Sequence, residues 1–205
     1  MATVEKRASA AEVGRPASRG SLREAQKQFT YRRLLAAALD VFASDGYGSA
    51  RVEDVAARAG ASRATFYLHF AGKSELTHAL VDERSPSEDA VWAAVPGGDA
   101  PVRGWLDELT RLWDAESSYL LALEQAIAVD PGIALRHATQ RRARVALVTE
   151  RRFGGPIDGV VDVRALLLVA QLERFCHLWL TREPGVDWDV ALDELAAAWS
   201  APHSA

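Results

Sequence analysis

The sequence predicts an all-α fold of about nine helices, with an N-terminal helix-turn-helix unit followed by a larger helical body. Apolar residues recur at three- and four-residue intervals along most of the chain. Clusters of Gly and Pro interrupt that pattern where helices should join. No stretch alternates apolar and polar residues as a half-buried strand does.

Residues 1–21 read as a disordered basic tail, rich in Ala, Ser, Arg and Gly, with little to bury. From Leu22 a helix carries Phe29, Leu34, Leu35, Ala38, Leu39 and Phe42, and Gly46 ends it. Val52, Val55, Ala56 and Ala59 mark a short second helix that stops at Gly60. Ser62 can cap a third, bearing Phe66, Tyr67 and Phe70. A fourth runs from Ser74 to Arg84, and Ser85-Pro86-Ser87 is expected to break it. That break divides an N-terminal unit, 22–84, from a C-terminal unit, 85–205.

In the second unit, Asp99 is expected to cap a helix with Val102, Trp105, Leu106, Leu109, Leu112 and Trp113 on one stripe. Tyr119 to Val129 is nearly all apolar and should be buried. Asp130-Pro131-Gly132 separates it from a helix over 133–152, which stops at Gly154-Gly155-Pro156. Asp162 can cap a long helix through Leu180, and a last helix covers Trp188 to Trp199.

The composition is that of an ordinary globular chain: 205 residues, 49% hydrophobic and 25% charged, with net charge -4. That excludes fully disordered and collagen-like chains. No apolar run nears the roughly 20 residues that cross a bilayer, and no secretory leader is visible. With one cysteine, Cys176, no internal disulfide can form, so a cytoplasmic location without membrane partners is expected. The charge is split. Residues 1–84 hold 13 Lys/Arg against 10 Asp/Glu, and residues 85–205 hold 11 against 18. A basic head on an acidic body suits a polyanion met by the head alone, although a solvated basic tail gives the same balance.

Residues 46–76, GYGSARVEDVAARAGASRATFYLHFAGKSEL, have the layout of a helix-turn-helix. Small Ala56 and Ala59 allow a close helix crossing, and the third helix would enter the major groove. With Phe66 and Phe70 facing inward, Arg63, Ala64, Tyr67 and His69 are left outward. Arg63 near the helix start can pair with guanine O6 and N7. Thr65 and Tyr67 can donate to phosphate oxygens or touch thymine methyls, and Lys73 is placed for a phosphate.

On Val52, Asp54, Val55, Ala56, Ala59, Gly60, Ser62, Thr65, Phe66, Tyr67, His69, Phe70, Lys73 and Leu76, the chain resembles the TetR family of transcriptional regulators. The resemblance is dense over about residues 30–80. It implies a homodimer on a palindromic double-stranded DNA operator, released by a small molecule. It also implies operator contacts at Arg63, Ala64, Thr65, Tyr67, His69 and Lys73. Ala50 and Arg51 stand where the family commonly has a Thr pair, so Ser49 is expected to cap the second helix and Arg51 to add a charged contact. Arg63-Ala64 stands where a Gly is usual. The acidic, Leu-rich last helix is similar to the EthR branch.

No nucleophile elbow, metalloprotease motif or phosphate loop is present, so no catalytic residue, cofactor or metal is expected. Cys176 and His177 are adjacent and point about 100° apart on a helix. All six Trp lie after residue 91. Trp105, Leu109, Leu112 and Trp113, with Leu172, Glu173 and Cys176 opposite, are the candidate walls of a cavity for a small apolar effector. Surplus apolar residues on the last two helices, Leu168, Phe175, Leu178, Trp179, Leu192, Leu195 and Trp199, are the candidate dimer interface. The function expected is a repressor. The alternative is a small-molecule binding or scaffolding protein whose helix-turn-helix no longer reads specific DNA.

Overall fold

A computed structural model of the chain describes residues 19–155 and 162–200, in which nine helices and no strand occur. The expected tail lies outside the described residues up to 18. Its last three residues belong to the first helix, α1 (Arg19–Asp45). Gly46, at φ 77°, turns the chain out of α1. The short helices α2 (Val52–Arg58) and α3 (Arg63–Tyr67) follow, and then α4 (Lys73–Ala93).

Helix α4 overturns the expected break, because Ser85-Pro86-Ser87 lies inside it. A proline in mid-helix costs about 3 kcal/mol through its missing N–H and its ring clash. Tertiary packing offsets that cost. Leu80, Val81 and Trp92 are buried on either side of Pro86. Ser85 Oγ donates to Val81 O at 2.8 Å, and Gln140 Nε2 donates to Ser85 Oγ at 3.1 Å, tying this stretch to the neighbouring helix.

The body continues with α5 (Arg103–Ala115), α6 (Ser117–Val129), α7 (Pro131–Phe153), α8 (Val163–Thr181) and α9 (Trp188–Ser200). Asp130 caps α7 through the N–H groups of Gly132 and Ile133, and Gly154 closes it at φ 76°. Asp162 caps α8 through Arg164 and Ala165 N–H. Asp99 caps nothing. Helix α5 starts after Val102 with no side-chain cap, since Asp99 falls in the preceding loop.

Two cores hold the molecule. In the first, Leu34, Phe42, Val55, Phe66 and Leu80 pack with Ala122, Ala126 and Ile133 of α6 and α7. The second gathers Trp105, Leu106, Leu109, Val148, Val169, Leu195 and Trp199. Buried Arg152 joins three segments of the body. It donates to Trp199 O at 2.7 Å, Pro96 O at 3.2 Å and Ala100 O at 3.3 Å.

Candidate nucleic-acid interface and interior cavity

The turn between α2 and α3 is built from local geometry. Gly60 adopts φ 61°, a left-handed conformation that favours glycine. Its N–H donates to Ala57 O and that of Ala61 to Ala56 O, both at 2.9 Å. A Cβ at Gly60 would also lie 2.5 Å from Arg33 Nη2, the group that donates to Ala59 O. Ser62 Oγ accepts from Thr65 N–H at 3.0 Å and meets Thr65 Oγ1 at 2.8 Å. The Thr65 hydroxyl is therefore engaged in the cap. Ser49 makes no such cap: Arg51 occupies that position on α2, exposed and without a side-chain cap bond, as the chain enters in extended conformation.

The outer face of α3 presents Arg63, Ala64 and Tyr67. The Arg63 side chain is 64% exposed, with Nε 3.0 Å from Glu53 and the guanidinium 5.6 Å from the Tyr67 ring centre. Tyr67 is 46% exposed with its ring edge-on to Phe66. Leu68, 79% exposed, extends this face. Sequence reasoning passed over it, although its place midway between inward Phe66 and Phe70 points it outward. His69 is half-buried beside Tyr31 and Phe70. Burial, and then Lys27, hold its pKa below the usual histidine value.

Lys73 is placed differently from the phosphate contact expected of it. Its Nζ donates to Tyr47 O at 2.6 Å, Ala50 O at 3.1 Å and Gly48 O at 3.3 Å, and lies 4.5 Å from the Tyr47 ring centre. All three ammonium protons are used. Lys73 thus staples the loop before α2 to the start of α4. Burial lowers its pKa.

In the body a cavity of about 510 Å³ opens between α4, α5, α6, α7 and α8. Trp113, Leu172, Glu173 and Cys176 line it, as the sequence suggested. Trp105 and Leu109 do not. Trp105 packs against Trp92 at 5.5 Å and Trp199 at 5.1 Å, its Nε1 donating to Val91 O, and Leu109 is wholly buried. Leu112 borders a far smaller gap between α4, α5 and α6. A helix stripe is equally apolar whether it faces a core or a cavity, which is why spacing alone merged the two.

Much of the lining was not anticipated because it comes from α4, α6 and α7 as well as α8. Arg144 meets Glu88 at 2.5 Å, Arg141 Nε meets Glu173 at 2.7 Å, and His177 Nδ1 lies 2.7 Å from Glu124. Burial, reinforced by Arg141 and Arg144, pushes the His137 pKa down to about 4. Burial pushes the Cys176 thiol up, which removes it as a nucleophile.

Residues 34–80 match the family described as bacterial regulatory proteins, tetR family. The chain is 26% identical to the HTH-type transcriptional regulator TcmR of Streptomyces glaucescens, over 92% of this chain and 90% of that one. In the head and along the chain, the likeness is to TetR-family transcriptional regulators. The chain is also 31% identical to the HTH-type transcriptional regulator CymR of Pseudomonas putida, over 55% of this chain and 57% of that protein. A TetR-like regulator structure from Rhodococcus sp. RHA1 shares the fold with TM-score 0.64 at 20% identity, covering 83% of this chain and 93% of that one. TcmR and CymR are both named as HTH-type transcriptional regulators. The family match covers the head, whereas the EthR-like expectation rested on the last helix.

The candidate dimer residues of this chain mostly face its own core. Leu168, Trp179, Leu192, Leu195 and Trp199 are buried there, and Phe175 and Leu178 are half-buried. The large apolar groups left exposed on these helices are Val163, Leu166, Leu167 and Val190. Surplus apolar surface exists as expected, but on a different face of α8. Among the described residues, no helix is long and apolar enough to cross a membrane, and no cluster suits a metal ion.

Proposed function

We propose that this regulator is a homodimeric repressor. Its 22–84 head binds a palindromic operator, and its 85–205 body releases the operator when a small, mainly apolar molecule fills the cavity. The carrying observation is the path of α4. Lys73 at its start fixes the loop that leads into the helix-turn-helix, while Glu88 and Trp92 near its end line the cavity. One helix thus touches both sites, which is what a coupling free energy between them needs.

Arg63, Ala64, Tyr67 and Leu68 are the proposed groove face, with His69, Thr65 and Arg51 at its margins. Val163, Leu166, Leu167 and Val190 support pairing of α8 and α9 with a second copy. Two linked heads would then reach half-sites one helical turn, or a multiple of it, apart.

The test is fluorescence anisotropy of labelled duplexes from the DNA upstream of the protein's own gene, against a scrambled duplex. Specific binding by a dimer, weakened when the cavity is occupied, is the expected result. Equal affinity for both duplexes would instead favour a binding protein whose head no longer reads sequence.

A further inference from the structure

Resting on the reading of the cavity as the effector site, we propose that the effector is uncharged and amphipathic. Its apolar body packs on Trp92, Trp113 and Leu172, and a hydroxyl sits in the corner between His137 and Glu173. The lining's carboxylates, Glu88, Glu124 and Glu173, are balanced in number by Arg141, Arg144 and Arg174. Glu88 is held by Arg144 at 2.5 Å and Glu173 by Arg141 at 2.7 Å. A carboxylate ligand that draws Arg141 or Arg144 away from its partner, or an ammonium that draws Glu88 or Glu173 away, breaks that pairing. Either leaves an uncompensated charge in a largely buried site.

What the lining lacks is hydrogen-bond partners. Glu173 Oε1 and Arg144 Nε are buried without one among the described residues, and Arg144 is only 9% exposed. His137 Nε2 stands 3.7 Å from Glu173 Oε1, too far for a hydrogen bond. Arg141 Nη2 lies 3.4 Å from His137 Nδ1, and arginine only donates. Nδ1 is then the acceptor, and in the neutral ring the proton sits on Nε2, facing the carboxylate. A hydroxyl about 2.8 Å from each atom accepts from Nε2–H and donates to Oε1. Water competes for this corner. A ligand hydroxyl reproduces the water's bonds while the rest of the ligand buries apolar surface.

The test is equilibrium dialysis of the full chain with naphthalene, 2-naphthol, 2-methoxynaphthalene and 2-naphthoate. We expect 2-naphthol to bind about tenfold tighter than the other three, the scale of one or two net hydrogen bonds. The methoxy compound accepts but cannot donate, so Glu173→Gln should erase most of the hydroxyl preference. His137→Phe should do likewise, and if it fails to fold, Glu173→Gln decides alone. Equal or tighter binding of 2-naphthoate overturns the proposal, as does a hydroxyl preference that survives Glu173→Gln. So does failure of 2-naphthol to bind up to its solubility limit. Gln140→Trp fills the cavity and should abolish binding of every probe. Undiminished binding in Gln140→Trp places the probes elsewhere, and then the cavity reading itself fails, not merely the ligand class.

Discussion

The head and the body are both helical, yet they hold their candidate residues in opposite ways. In the head, Arg63, Tyr67 and Leu68 project from a five-residue helix fixed by contacts close in sequence: the Ser62 cap, the Gly60 turn and the small Ala56 and Ala59. In the body, the cavity joins side chains from five helices, with Glu88 and Glu173 facing arginines more than thirty residues away. Local construction writes its logic into spacing. Long-range construction hides it, because what one helix face meets depends on every other helix.

The comparison can be broken most forcefully at the body's core. Trp199 is fully buried and packs on Trp105 at 5.1 Å. Trp199→Ala should cost about 3–5 kcal/mol in urea unfolding. If the two cores respond separately, circular dichroism should show the body melting while α1–α3 stay helical. A single shared transition would mean that Ala122, Ala126 and Ile133 fuse head and body into one cooperative unit.

Next in size is a pH effect confined to the cavity. The native pKa of His137 is about 4 and that of an unfolded histidine about 6.5. Between those values the unfolded chain takes up a proton that the native chain does not, so stability falls as pH drops from about 6.5 towards 4. The full effect is at most about 3 kcal/mol, and His137→Gln should remove that part of the slope in pH-dependent thermal unfolding.

The head offers two smaller effects. Gly60→Ala must hold a side chain at φ 61° and push aside Arg33, costing about 1–2 kcal/mol of stability along with operator affinity. Lys73→Met should lower stability by about 1–3 kcal/mol, since the Tyr47 and Ala50 carbonyls lose their donor. The salt dependence of DNA binding separates the two roles of Lys73. A lost phosphate contact reduces the slope by about 1, whereas a lost staple leaves it unchanged.

The smallest effect on stability belongs to Tyr67→Ala, which should leave the melting temperature nearly intact. It should weaken operator binding by about tenfold, the scale of a lost hydrogen bond. Equal anisotropy titrations for this variant and its parent would remove Tyr67 from the groove face.

The helices, and the outward placing of Arg63, Ala64 and Tyr67, were legible in the sequence because caps, glycines and apolar spacing act within a few residues. Gly46, Gly60, Ser62, Asp130 and Asp162 all play the roles their types suggest. Where legibility failed, a distant partner decided. Pro86 stays helical because Trp92 and Gln140 hold α4 in place. Lys73 is drawn to the loop because three carbonyls from the α1–α2 connection surround it. Trp105 and Leu109 share Trp113's stripe but meet Trp199 and the core instead of open space. The ion pairs at the cavity depend on α7, whose exposed-looking Arg141 and Arg144 gave no hint of facing inward.

The unbroken α4 also sets a mechanical ratio. Lys73 lies 13 residues from Pro86 and Trp92 lies six away on the other side. At 1.5 Å per residue these arms are about 20 Å and about 9 Å long. If the helix tilts about the proline, a shift of about 1 Å at Trp92 becomes about 2 Å at Lys73, in the opposite direction. A ligand that merely widens the cavity by the thickness of a methyl group would move the loop anchor far enough to spoil the fit of a helix in a groove. Under such a tilt the unequal arms would act as a displacement amplifier whose gain is set by the position of one proline.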